Sequence, residues 1–542
     1  MKDEILIVRG LSAGYWGKGV LSEISFELKQ GEILGIAGES GSGKSTLLKS
    51  VFPMSEPGFI KSQGEILYKG REFKTFTKEE LRKLKGEEIG LIGQNPKASF
   101  NPNRTFLKQF METLKSHGLY QKETFLDHVK EVFDQLNLSG GEELLNSYPR
   151  QMSGGMNQRI AIALSVLLKP SLLLADEPTS ALDAVSQELV LKELLKIREY
   201  YGTSIVLVSH NLGVISKIAD QAAVMHQGTL VEYGDAKEVF YTPRHSYTKS
   251  LIGAVPGIRL SENKAPKTTS DCLLEVTQLR RNYKRNERMI CALNGISLKL
   301  KPGEIMGIVG ESGSGKTTLL KQIAGVEKPE VGTIAFLGKK CSVQRTREEL
   351  SRMQLIFQNA ADSFDPRRKI RHSMEEILIN LLKIKSKTER KERIHSQFLR
   401  VGLSPELLER YPWELSGGQC QRAAIARALC VNPMLLLCDE ITSALDVLVQ
   451  SELTRLLESL ARERKMAVLF VSHDISLVSR FCDTVMVMKE GACVEAASVK
   501  EILEKPKSGY TKQLLAAAGI DRSLNIEKGR RTCERLLDVT CQ

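Results

Sequence analysis

Two stretches of the chain combine glycines, a lysine and a hydroxyl residue in an order that suits phosphate binding. Residues 38–49 read GESGSGKSTLLK, and residues 310–321 read GESGSGKTTLLK. Both match GxxxxGK[ST], in which backbone N–H groups surround a phosphate, the lysine neutralises it and the hydroxyl ligates Mg²⁺. The N-terminus of the helix that follows adds partial positive charge. The sequence therefore predicts two polyphosphate sites in one chain.

Each half also ends a short apolar segment with two neighbouring acids. The segments SLLLADE and MLLLCDE carry Asp176 with Glu177 and Asp439 with Glu440. A strand-end aspartate beside a phosphate loop is placed to contact the metal, often through water. A second carboxylate beside it can polarise the water that attacks the terminal phosphate. The alternative is that these acids end the strands without a catalytic role.

A histidine closes another apolar segment in each half. SIVLVSH (204–210) and AVLFVSH (467–473) end in His210 and His473. Because the two histidines recur at matched positions, we expect each ring to donate a hydrogen bond to the terminal phosphate. The alternative is a capping or core histidine.

The two halves of the chain are copies of one domain. The recurring landmarks are Lys44, Gln94, Ser153, Asp176 and His210 in the first half, and Lys316, Gln358, Ser416, Asp439 and His473 in the second. The last three pairs are each separated by 263 residues. A Pro-, Lys- and Ser-containing stretch without an apolar period divides the copies, as in a linker. We expect domain 1 at residues 1–258, a linker at 259–270 and domain 2 at 271–542.

The segments around the motifs predict an α/β core in each half. EILGIAG (32–38) and EIMGIVG (304–310) are apolar and end at the glycine loops, and helices are expected to begin near Ser45 and Thr317. Short continuous apolar runs are typical of buried parallel strands. In such sheets ligands bind at the carboxyl ends of the strands, where the motif residues lie.

Apolar residues follow a helical period in the segment that precedes each SGG motif. The stripes are Leu126, Val129, Phe133 and Leu136 in the first half, and Met374, Ile377, Leu378, Leu381 and Leu382 in the second. They predict core-facing helices of a small helical subdomain. A membrane-binding face is the alternative interpretation.

Composition is that of a globular protein without membrane spans. The chain has 542 residues, of which 42% are hydrophobic and 26% charged. No run approaches the roughly 20 apolar residues that cross a bilayer, and the start MKDEILIVRG does not resemble a secretory signal, so a cytosolic chain is expected. Ten scattered cysteines indicate reduced thiols. The formal net charge of +12 indicates a solvated surface that attracts a polyanionic ligand, with nucleic-acid or membrane binding as the alternative.

A serine-glycine-glycine motif completes a family resemblance that covers nearly the whole chain. YPRQMSGGMNQR (148–159) and YPWELSGGQCQR (411–422) follow the phosphate loops in order. The chain resembles a fused pair of ATP-binding-cassette (ABC) ATPases. The resemblance implies an α/β fold with two tandem P-loop NTPase domains, each having an α/β core and a helical subdomain. In that family each ATP lies between the P-loop of one domain and the signature of the other, so the two cassettes are expected to pair within one chain and hydrolyse ATP.

The motifs and the resemblance together assign site residues, with ATP and Mg²⁺ as cofactors. The expected catalytic residues are Glu177, His210, Glu440 and His473. The expected nucleotide contacts are Tyr15, Gly38, Ser40, Gly41, Ser42, Gly43, Lys44, Ser45, Thr46, Gln94, Ser153, Gly154, Gly155, Tyr283, Gly310, Ser312, Gly313, Ser314, Gly315, Lys316, Thr317, Thr318, Gln358, Ser416, Gly417, Gly418 and Gln419. The expected metal contacts are Ser45, Gln94, Asp176, Thr317, Gln358 and Asp439.

Some of these roles rest on the resemblance alone. Tyr15 and Tyr283 are expected to stack on adenine, with Trp16 as the alternative to Tyr15 and strand-edge packing as the alternative role for both tyrosines. Gln94 and Gln358 resemble residues that touch the metal and the transmembrane partner. The SALD segments at 180–183 and 443–446 resemble a loop that crosses between cassettes.

The ends of the two halves narrow the subfamily. FYTPRHSYTKSLIGAVP (240–256) and LEKPKSGYTKQLLAAA (503–518) are similar to the tails of importer ATPases for di- and oligopeptides or nickel. ASFNP (98–102) and DSFDP (362–366) also resemble that group. The resemblance implies two transmembrane permease subunits, an extracytoplasmic solute-binding protein and a peripheral position at the cytoplasmic face of the membrane, with no nucleic-acid partner.

A soluble tandem-cassette ATPase that acts on ribosomes is the alternative function. Such proteins usually carry a long charged helical linker, and the linker here is short and contains proline. The two halves differ in places: Met156 replaces the glutamine of the signature, and Ile441 stands where the first half has Pro178. Cys533 and Cys541 are too few to hold an iron–sulfur cluster.

Overall fold

The computed structural model describes residues 3–52, 57–138, 140–180, 182–254, 272–285, 288–443 and 445–518. Contacts between residues divide the chain into two units. Unit 1 contains Met1–Leu182 and Ser186–Val255, and unit 2 contains Pro256–Leu445 and Val449–Gln542. The linker expected at 259–270, Ala181 and Ala444 of the SALD segments, and Cys533 and Cys541 lie outside the described residues.

Unit 1 alternates strands and helices. Its strands are β1 (Glu4–Tyr15), β2 (Lys18–Lys29), β3 (Ile33–Gly38), β4 (Phe59–Tyr68), β5 (Arg71–Glu72), β6 (Ile89–Ile92), β7 (Leu172–Asp176), β8 (Ser204–Val208), β9 (Gln221–His226) and β10 (Thr229–Asp235). Its helices are α1 (Lys44–Val51), α2 (Lys78–Lys83), α3 (Phe106–Ser116), α4 (Phe125–Gln135), α5 (Gly141–Leu145), α6 (Gly154–Val166), α7 (Ala184–Tyr201), α8 (Leu212–Ile218), α9 (Ala236–Tyr241) and α10 (Ser246–Ala254).

Unit 2 repeats this order of elements, except that α5 has no α-helical counterpart among its described residues. Its strands are β11 (Leu274–Arg285), β12 (Arg288–Leu300), β13 (Ile305–Val309), β14 (Val331–Phe336), β15 (Lys339–Lys340), β16 (Met353–Ile356), β17 (Leu435–Asp439), β18 (Ala467–Val471), β19 (Thr484–Lys489) and β20 (Ala492–Ser498). Its helices are α11 (Lys316–Ala324), α12 (Arg347–Arg352), α13 (Ile370–Leu382), α14 (Lys387–Arg400), α15 (Gly417–Leu429), α16 (Val447–Arg464), α17 (Ile475–Phe481), α18 (Val499–Glu504) and α19 (Gly509–Ala517).

Each unit has one six-stranded and one four-stranded sheet. The six-stranded sheets run β10-β9-β3-β8-β7-β6 in unit 1 and β20-β19-β13-β18-β17-β16 in unit 2, which is the same order. Within each, the strand before the phosphate loop is central and pairs in parallel with both neighbours. The antiparallel sheets run β2-β1-β4-β5 and β12-β11-β14-β15. The predicted α/β core is confirmed in both units.

The central strands are continuously apolar because both faces of the sheet are covered. In unit 1, Leu34 and Ile36 of β3 face a cluster that includes Phe26 of the antiparallel sheet. The alternate residue Ile33 faces a cluster that contains Ile162 of α6. Burial on both faces removes the alternation of polar and apolar residues that a half-exposed strand shows. The apolar run of each strand therefore stops where polar residues begin. The candidate site described below lies at the carboxyl ends of these strands.

The helical segments before α6 and α15 bury most of their predicted stripes. Val129, Phe133 and Leu136 are buried, and in α13 the side chains of Met374, Ile377 and Leu378 are buried while Leu381 and Leu382 pack half-buried against the core. The prediction for Leu126 is wrong, since 38% of it is exposed. Phe125, one residue earlier on the helix, occupies the inward position instead.

The described helices and cysteines were compared with the predictions about membrane spans and disulfides. Among the helices that the structure describes, none is long and apolar enough to cross a membrane. The cysteines in the described residues are free thiols: Cys272, Cys291, Cys341, Cys420, Cys430, Cys438, Cys482 and Cys493.

Candidate nucleotide site in each unit

The phosphate loops connect the central strand of each sheet to a helix. In unit 1 the loop leaves β3 at Gly38 and enters α1 at Lys44. Gly43 has φ +99°, and Gly315 has φ +98° at the same place in unit 2. A Cβ atom on Gly315 would lie 2.1 Å from the carbonyl oxygen of Ala292, so both conformation and space require glycine there. The helices α1 and α11 begin one residue before the predicted Ser45 and Thr317.

The loop lysines are buried and held by the carbonyls of their own loops. Lys44 Nζ donates to the carbonyl oxygens of Gly38 at 2.8 Å and Glu39 at 2.6 Å. Lys316 Nζ donates to the equivalent carbonyls of Gly310 and Glu311, both at 2.8 Å. Burial lowers the pKa of both lysines, and neighbouring carboxylates oppose that shift. Each ammonium group is therefore positioned over the loop interior.

The hydroxyl after each lysine meets the predicted strand-end aspartate. Ser45 Oγ donates to Asp176 Oδ1 at 3.1 Å, and Thr317 Oγ1 donates to Asp439 Oδ1 at 3.1 Å. Burial raises the pKa of both aspartates, while the hydroxyl hydrogen bonds oppose the shift. A pair of adjacent oxygen atoms beside a phosphate loop is the ligand type that Mg²⁺ prefers.

Mg²⁺ fits this donor set only with ligands from outside the protein. In the described ranges of the chain, no group of three or more His, Cys, Asp and Glu side chains could hold a metal. Mg²⁺ usually binds one or two protein groups and takes water and substrate phosphates as its other ligands. The Ser45–Asp176 and Thr317–Asp439 pairs fit that pattern. The predicted glutamine ligands donate through Nε2 to the neighbouring glutamates, and a metal contact through their amide oxygens stays a prediction.

Glu177 and Glu440 are held in an uncommon backbone conformation. Their φ angles are +47° and +44°, in the left-handed region that glutamate rarely adopts. The N–H group of Glu177 donates to the carbonyl of Val208, and that of Glu440 donates to Val471, which fixes the turn. Such strain is commonly found at functional sites, where the surrounding structure maintains it. Residue type does not indicate this conformation at a glutamate.

The predicted glutamines and histidines converge on these glutamates. Gln94 Nε2 donates to Glu177 Oε2 at 3.2 Å, and Gln358 Nε2 donates to Glu440 Oε2 at 3.1 Å. His210 Nδ1 lies 3.2 Å from Glu177 Oε2. A single carboxylate in unit 1 therefore links motifs that are far apart in the sequence.

The histidine is less tightly placed in unit 2, where the lysine is closer. His473 Nδ1 lies 3.7 Å from Glu440 Oε2, and Lys316 Nζ lies 3.7 Å from Glu440 Oε1. Burial favours protonation of Glu177 and Glu440, but the nearby histidine and lysine outweigh it and lower the pKa of both. Burial also opposes the charged form of His473, yet Glu440 raises its pKa. The glutamates are thus ionised at neutral pH and able to accept a proton.

The signature serines cap helices. Ser153 Oγ accepts from the N–H group of Met156, and Ser416 Oγ accepts from Gln419 at the start of α15. In unit 2 the Gln419 side chain also accepts from the Ser416 N–H group, which completes a capping box. Met156 has no oxygen to make that second bond. Ser153, Ser416 and the glycines that follow them, Gly154 and Gly417, are exposed, while Gly155 and Gly418 are half-buried.

The remaining residues that are predicted to contact nucleotide differ in how exposed they are. Ser40, Gly41, Ser312 and Gly313 are exposed at the loops, Thr46 and Thr318 are half-buried, and Ser42 and Ser314 are buried. Tyr15 packs its ring 5.4 Å from that of Phe59, and Trp16 is 77% exposed. The Tyr283 hydroxyl donates to Glu327, and Arg281 lies 5.0 Å from the ring centre of Tyr283. Stacking of either tyrosine on adenine stays a prediction.

A tyrosine that the sequence did not assign to the site contacts each phosphate loop. The N–H group of Glu39 donates to the hydroxyl oxygen of Tyr247 at 3.2 Å, and that of Glu311 donates to Tyr510 at 3.0 Å. Both tyrosines belong to the segments 240–256 and 503–518, which share the sequence Tyr-Thr-Lys and are called the Y-T-K tails below. Their recurrence at matched places in the two halves is the sequence signal that points to them.

Comparison with known families identifies the class of protein. A family profile described as ABC transporter matches residues 21–180 and 293–443, which together make up more than half of the chain. The chain belongs to the ABC transporter family, and its two units are ABC ATPase cassettes. A second profile, described as Oligopeptide/dipeptide transporter, C-terminal region, matches residues 231–276. The recognition of the family and of the peptide-transporter tail is confirmed.

Curated relatives match over almost their full length. The chain is 36% identical over 530 residues to the peptidoglycan transport ATP-binding protein YejF of Agrobacterium fabrum, covering 95% of this chain and 96% of that protein. It is 34% identical over 563 residues to the glutathione import ATP-binding protein GsiA of Salmonella typhimurium, covering 95% and 90%. Membership of the ABC ATPases is therefore shown by relatives that are similar along the whole chain.

A solved structure supports the fold. The archaeal ribosome recycling factor aABCE1, in its complex with the ribosomal stalk protein aP1, covers 88% of this chain and 87% of its own with a TM-score of 0.57. Its sequence identity is 22%, so this likeness concerns the fold alone.

Proposed function

We propose that this chain is the ATP-hydrolysing subunit of an importer for a small solute of the peptide class. The observation that carries the proposal is the duplicated site, in which lysine, hydroxyl, aspartate, glutamate, glutamine and histidine have the same partners in both units. The peptide-transporter C-terminal region matched at residues 231–276 supports the importer class.

The proposed chemistry is assigned to the side chains already described. Lys44 and Lys316 bind the phosphates while keeping their bonds to the carbonyls of Gly38 and Gly310, because an ammonium group has three N–H donors. Glu177 and Glu440 accept a proton from the attacking water, since both are ionised and lie beside the loop. Mg²⁺, held through the Ser45–Asp176 and Thr317–Asp439 pairs, would neutralise phosphate charge when bound.

His210 and His473 are proposed to hold the glutamates and to face the terminal phosphate. A histidine whose Nδ1–H group donates to a carboxylate can also donate through Nε2 only when its ring is protonated, so the proposed bond to the terminal phosphate uses the imidazolium form. Gln94 and Gln358 donate to the same Oε2 atoms that the two histidines approach. These bonds fix the carboxylate orientation before nucleotide arrives.

The named relatives define the solutes to be tested first. Their names give peptidoglycan transport and glutathione import, and the C-terminal profile gives oligopeptides and dipeptides. All of these names refer to molecules that contain peptide. We propose the same class for this chain, with nickel as a second candidate because the Y-T-K tails are also similar to those of nickel importers.

An uptake assay tests the proposed function. Cells that lack the chain would receive either the natural chain or a Glu177→Gln, Glu440→Gln variant, and uptake of labelled dipeptide, glutathione, muropeptide and nickel would be followed. We expect the natural chain to restore uptake of one peptide-class solute and the variant not to restore it. The matched control is Glu79→Gln with Glu348→Gln, two exposed glutamates in the equivalent helices α2 and α12.

Partner purification tests the assembly. The proposal expects two multispanning permease subunits, working with an extracytoplasmic binding protein, and a peripheral position of the chain on the cytoplasmic face of the membrane. The chain would be purified from detergent-solubilised native membranes and its partners identified by mass spectrometry. Recovery of two multispanning subunits supports the importer. Recovery of ribosomes without a membrane protein contradicts it and favours a tandem cassette that acts in translation.

A further inference from the structure

The Y-T-K tails are fixed to the body of each unit by a carboxylate. In unit 1, Glu232 of β10 accepts from the N–H groups of Arg244 at 2.8 Å and His245 at 3.2 Å. In unit 2, Glu495 of β20 accepts from the N–H groups of Lys507 at 2.9 Å and Ser508 at 3.0 Å. The start of α10 and the start of α19 are therefore held at the edge of the sheet, close to the phosphate loop.

From that position each tail presents a tyrosine hydroxyl to one peptide unit of the loop. The N–H group of Glu39 belongs to the same peptide plane as the carbonyl of Gly38, which accepts from Lys44 Nζ. The Tyr247 hydroxyl thus binds one side of the peptide and the lysine ammonium binds the other. If the N–H group were released, the peptide could rotate and its carbonyl would turn away from Lys44.

The same bridge exists in unit 2 with different surroundings. The Glu311 N–H group donates to Tyr510, and the Gly310 carbonyl accepts from Lys316 Nζ. The Tyr247 ring lies 4.0 Å from that of His226, whereas the Tyr510 ring lies under Lys489 Nζ at 5.0 Å. The groups beside the tyrosine ring differ between the two units, whereas the hydroxyl makes the same contact in both. The hydroxyl is therefore the part of the tyrosine that both units share.

The hydroxyls are suited to a constant role at neutral pH. Burial raises the pKa of Tyr247 and Tyr510, so both phenols stay protonated. Thr248 and Thr511, the next residues in the tails, are 1% and 0% exposed, so the start of each helix is packed into its unit. The contact is part of a packed element and not of an exposed loop.

We propose that Tyr247 and Tyr510 are positioning residues that orient the peptides after Gly38 and Gly310 and thereby set the loop lysines for ATP phosphates. The inference rests on the proposed function, because it concerns ATP at the same loops. It gives the tail that marks the peptide-transporter group a role in nucleotide binding. The tyrosines act through the loop peptide and do not touch the reacting atoms.

The test replaces both hydroxyls and retains both rings. Tyr247→Phe with Tyr510→Phe should weaken binding of a fluorescent ATP analogue about threefold to tenfold, the range expected for one hydrogen bond per site. The KM for ATP should rise by the same factor while kcat changes by less than about twofold. Single variants, each with one natural site left, should show one weakened and one unchanged class of site.

The matched control is Tyr233→Phe. Its hydroxyl also bonds the backbone, at Glu27, and lies in the same unit away from the phosphate loop. This control should leave ATP affinity unchanged. Unchanged affinity in the double variant would overturn the inference, as would a lower unfolding temperature with normal KM or an equal rise in KM from Tyr233→Phe. Failure of the natural chain to bind ATP would overturn the proposed function as well, whereas normal binding by the double variant would overturn the inference alone.

Discussion

At the scale of single residues, the glutamate after each strand-end aspartate is the centre of the site. Glu177 adopts φ +47°, accepts from Gln94 and lies 3.2 Å from His210. Glu440 has the same conformation and the same kinds of partner. Two side chains and a strained backbone converge on this carboxylate in unit 1, which indicates that its orientation matters for function.

We expect Glu177→Gln with Glu440→Gln to leave ATP binding intact and to slow hydrolysis about 100-fold or more. Glutamine keeps the size and the hydrogen bonds of glutamate but does not accept a proton from water, and general base catalysis typically contributes that factor. Phosphate release and fluorescent ATP binding would be measured on the same preparations. Near-normal hydrolysis would rule out these residues as the base. Glu79→Gln with Glu348→Gln is the control.

The site shows what sequence can and cannot predict at this scale. The loop residues Lys44 and Ser45 and the acid Asp176 were predictable because their chemistry is local and their motif has fixed spacing. The contact of Tyr247 with Glu39 was not, since the two residues are separated by 208 positions and meet only through the sheet topology. The positive φ of Glu177 was not predictable either, because residue type gives no sign of it outside glycine and asparagine.

The cysteines give a second residue-scale prediction. Cys438 and Cys482 are buried in unit 2, and burial raises the pKa of both thiols. Cys291 and Cys493 are exposed. Since the thiolate is the reactive form and needs access, maleimide should label Cys291 and Cys493 in the native chain and not Cys438 or Cys482.

Peptide mapping by mass spectrometry would read out the labelled positions. All four cysteines should react once the chain is unfolded in guanidinium, which is the control for detection. Labelling of Cys438 in the native chain would show that its strand opens and would contradict the packed position described for β17.

At the scale of elements, the signature helices differ in how they are capped. Ser416 and Gln419 exchange two hydrogen bonds at the start of α15. Ser153 accepts one bond from Met156 at the start of α6, and the methionine side chain returns none. The sequence showed the substitution, but the loss of a capping bond needed the geometry of the helix start.

We expect Gln419→Met to lower the free energy of unfolding of unit 2 by about 0.5–1 kcal/mol, because it removes one of the two capping bonds. For a unit of this size, the unfolding temperature should fall by about 1–4 °C. Calorimetry without nucleotide would measure this apart from any role of Gln419 in ATP binding. Gln419→Glu is the matched control, since glutamate also completes a capping box. An equal fall with glutamate would exclude the capping explanation.

The positions of the strands were easier to predict than the face of each helix that is buried. Strands β3, β7 and β8 lie within one residue of the predicted segments at their N-terminal ends, because a continuous apolar run between polar residues has few other interpretations. The α4 stripe was predicted with Leu126 inward, and Phe125 lies inward instead. A one-residue change rotates a helix face by about 100°, and an apolar period that contains both residues does not distinguish them.

At the scale of the whole molecule, the chain repeats the hydroxyl–aspartate, amide–glutamate and lysine–carbonyl contacts of its site in both units. The hydroxyl–aspartate distance is 3.1 Å in both units, and the amide–glutamate distances are 3.2 and 3.1 Å. The loop lysines are 5% and 4% exposed and bond equivalent carbonyls. Nothing in the described phosphate loops marks either unit as unable to bind nucleotide.

We therefore expect two ATP molecules to bind per chain, one for each loop. Lys44→Met and Lys316→Met should each reduce the stoichiometry measured by equilibrium dialysis from two to one, and the double variant should bind none at concentrations that saturate the natural chain. Methionine keeps the apolar stem of the buried lysine and removes the ammonium, so the expected loss of at least about tenfold in affinity reflects charge and hydrogen bonding. The control is Lys78→Met with Lys387→Met, two exposed lysines at the starts of α2 and α14. A stoichiometry of one in the natural chain would mean that similar loop geometry does not give similar binding, and the single variants would then show which unit binds.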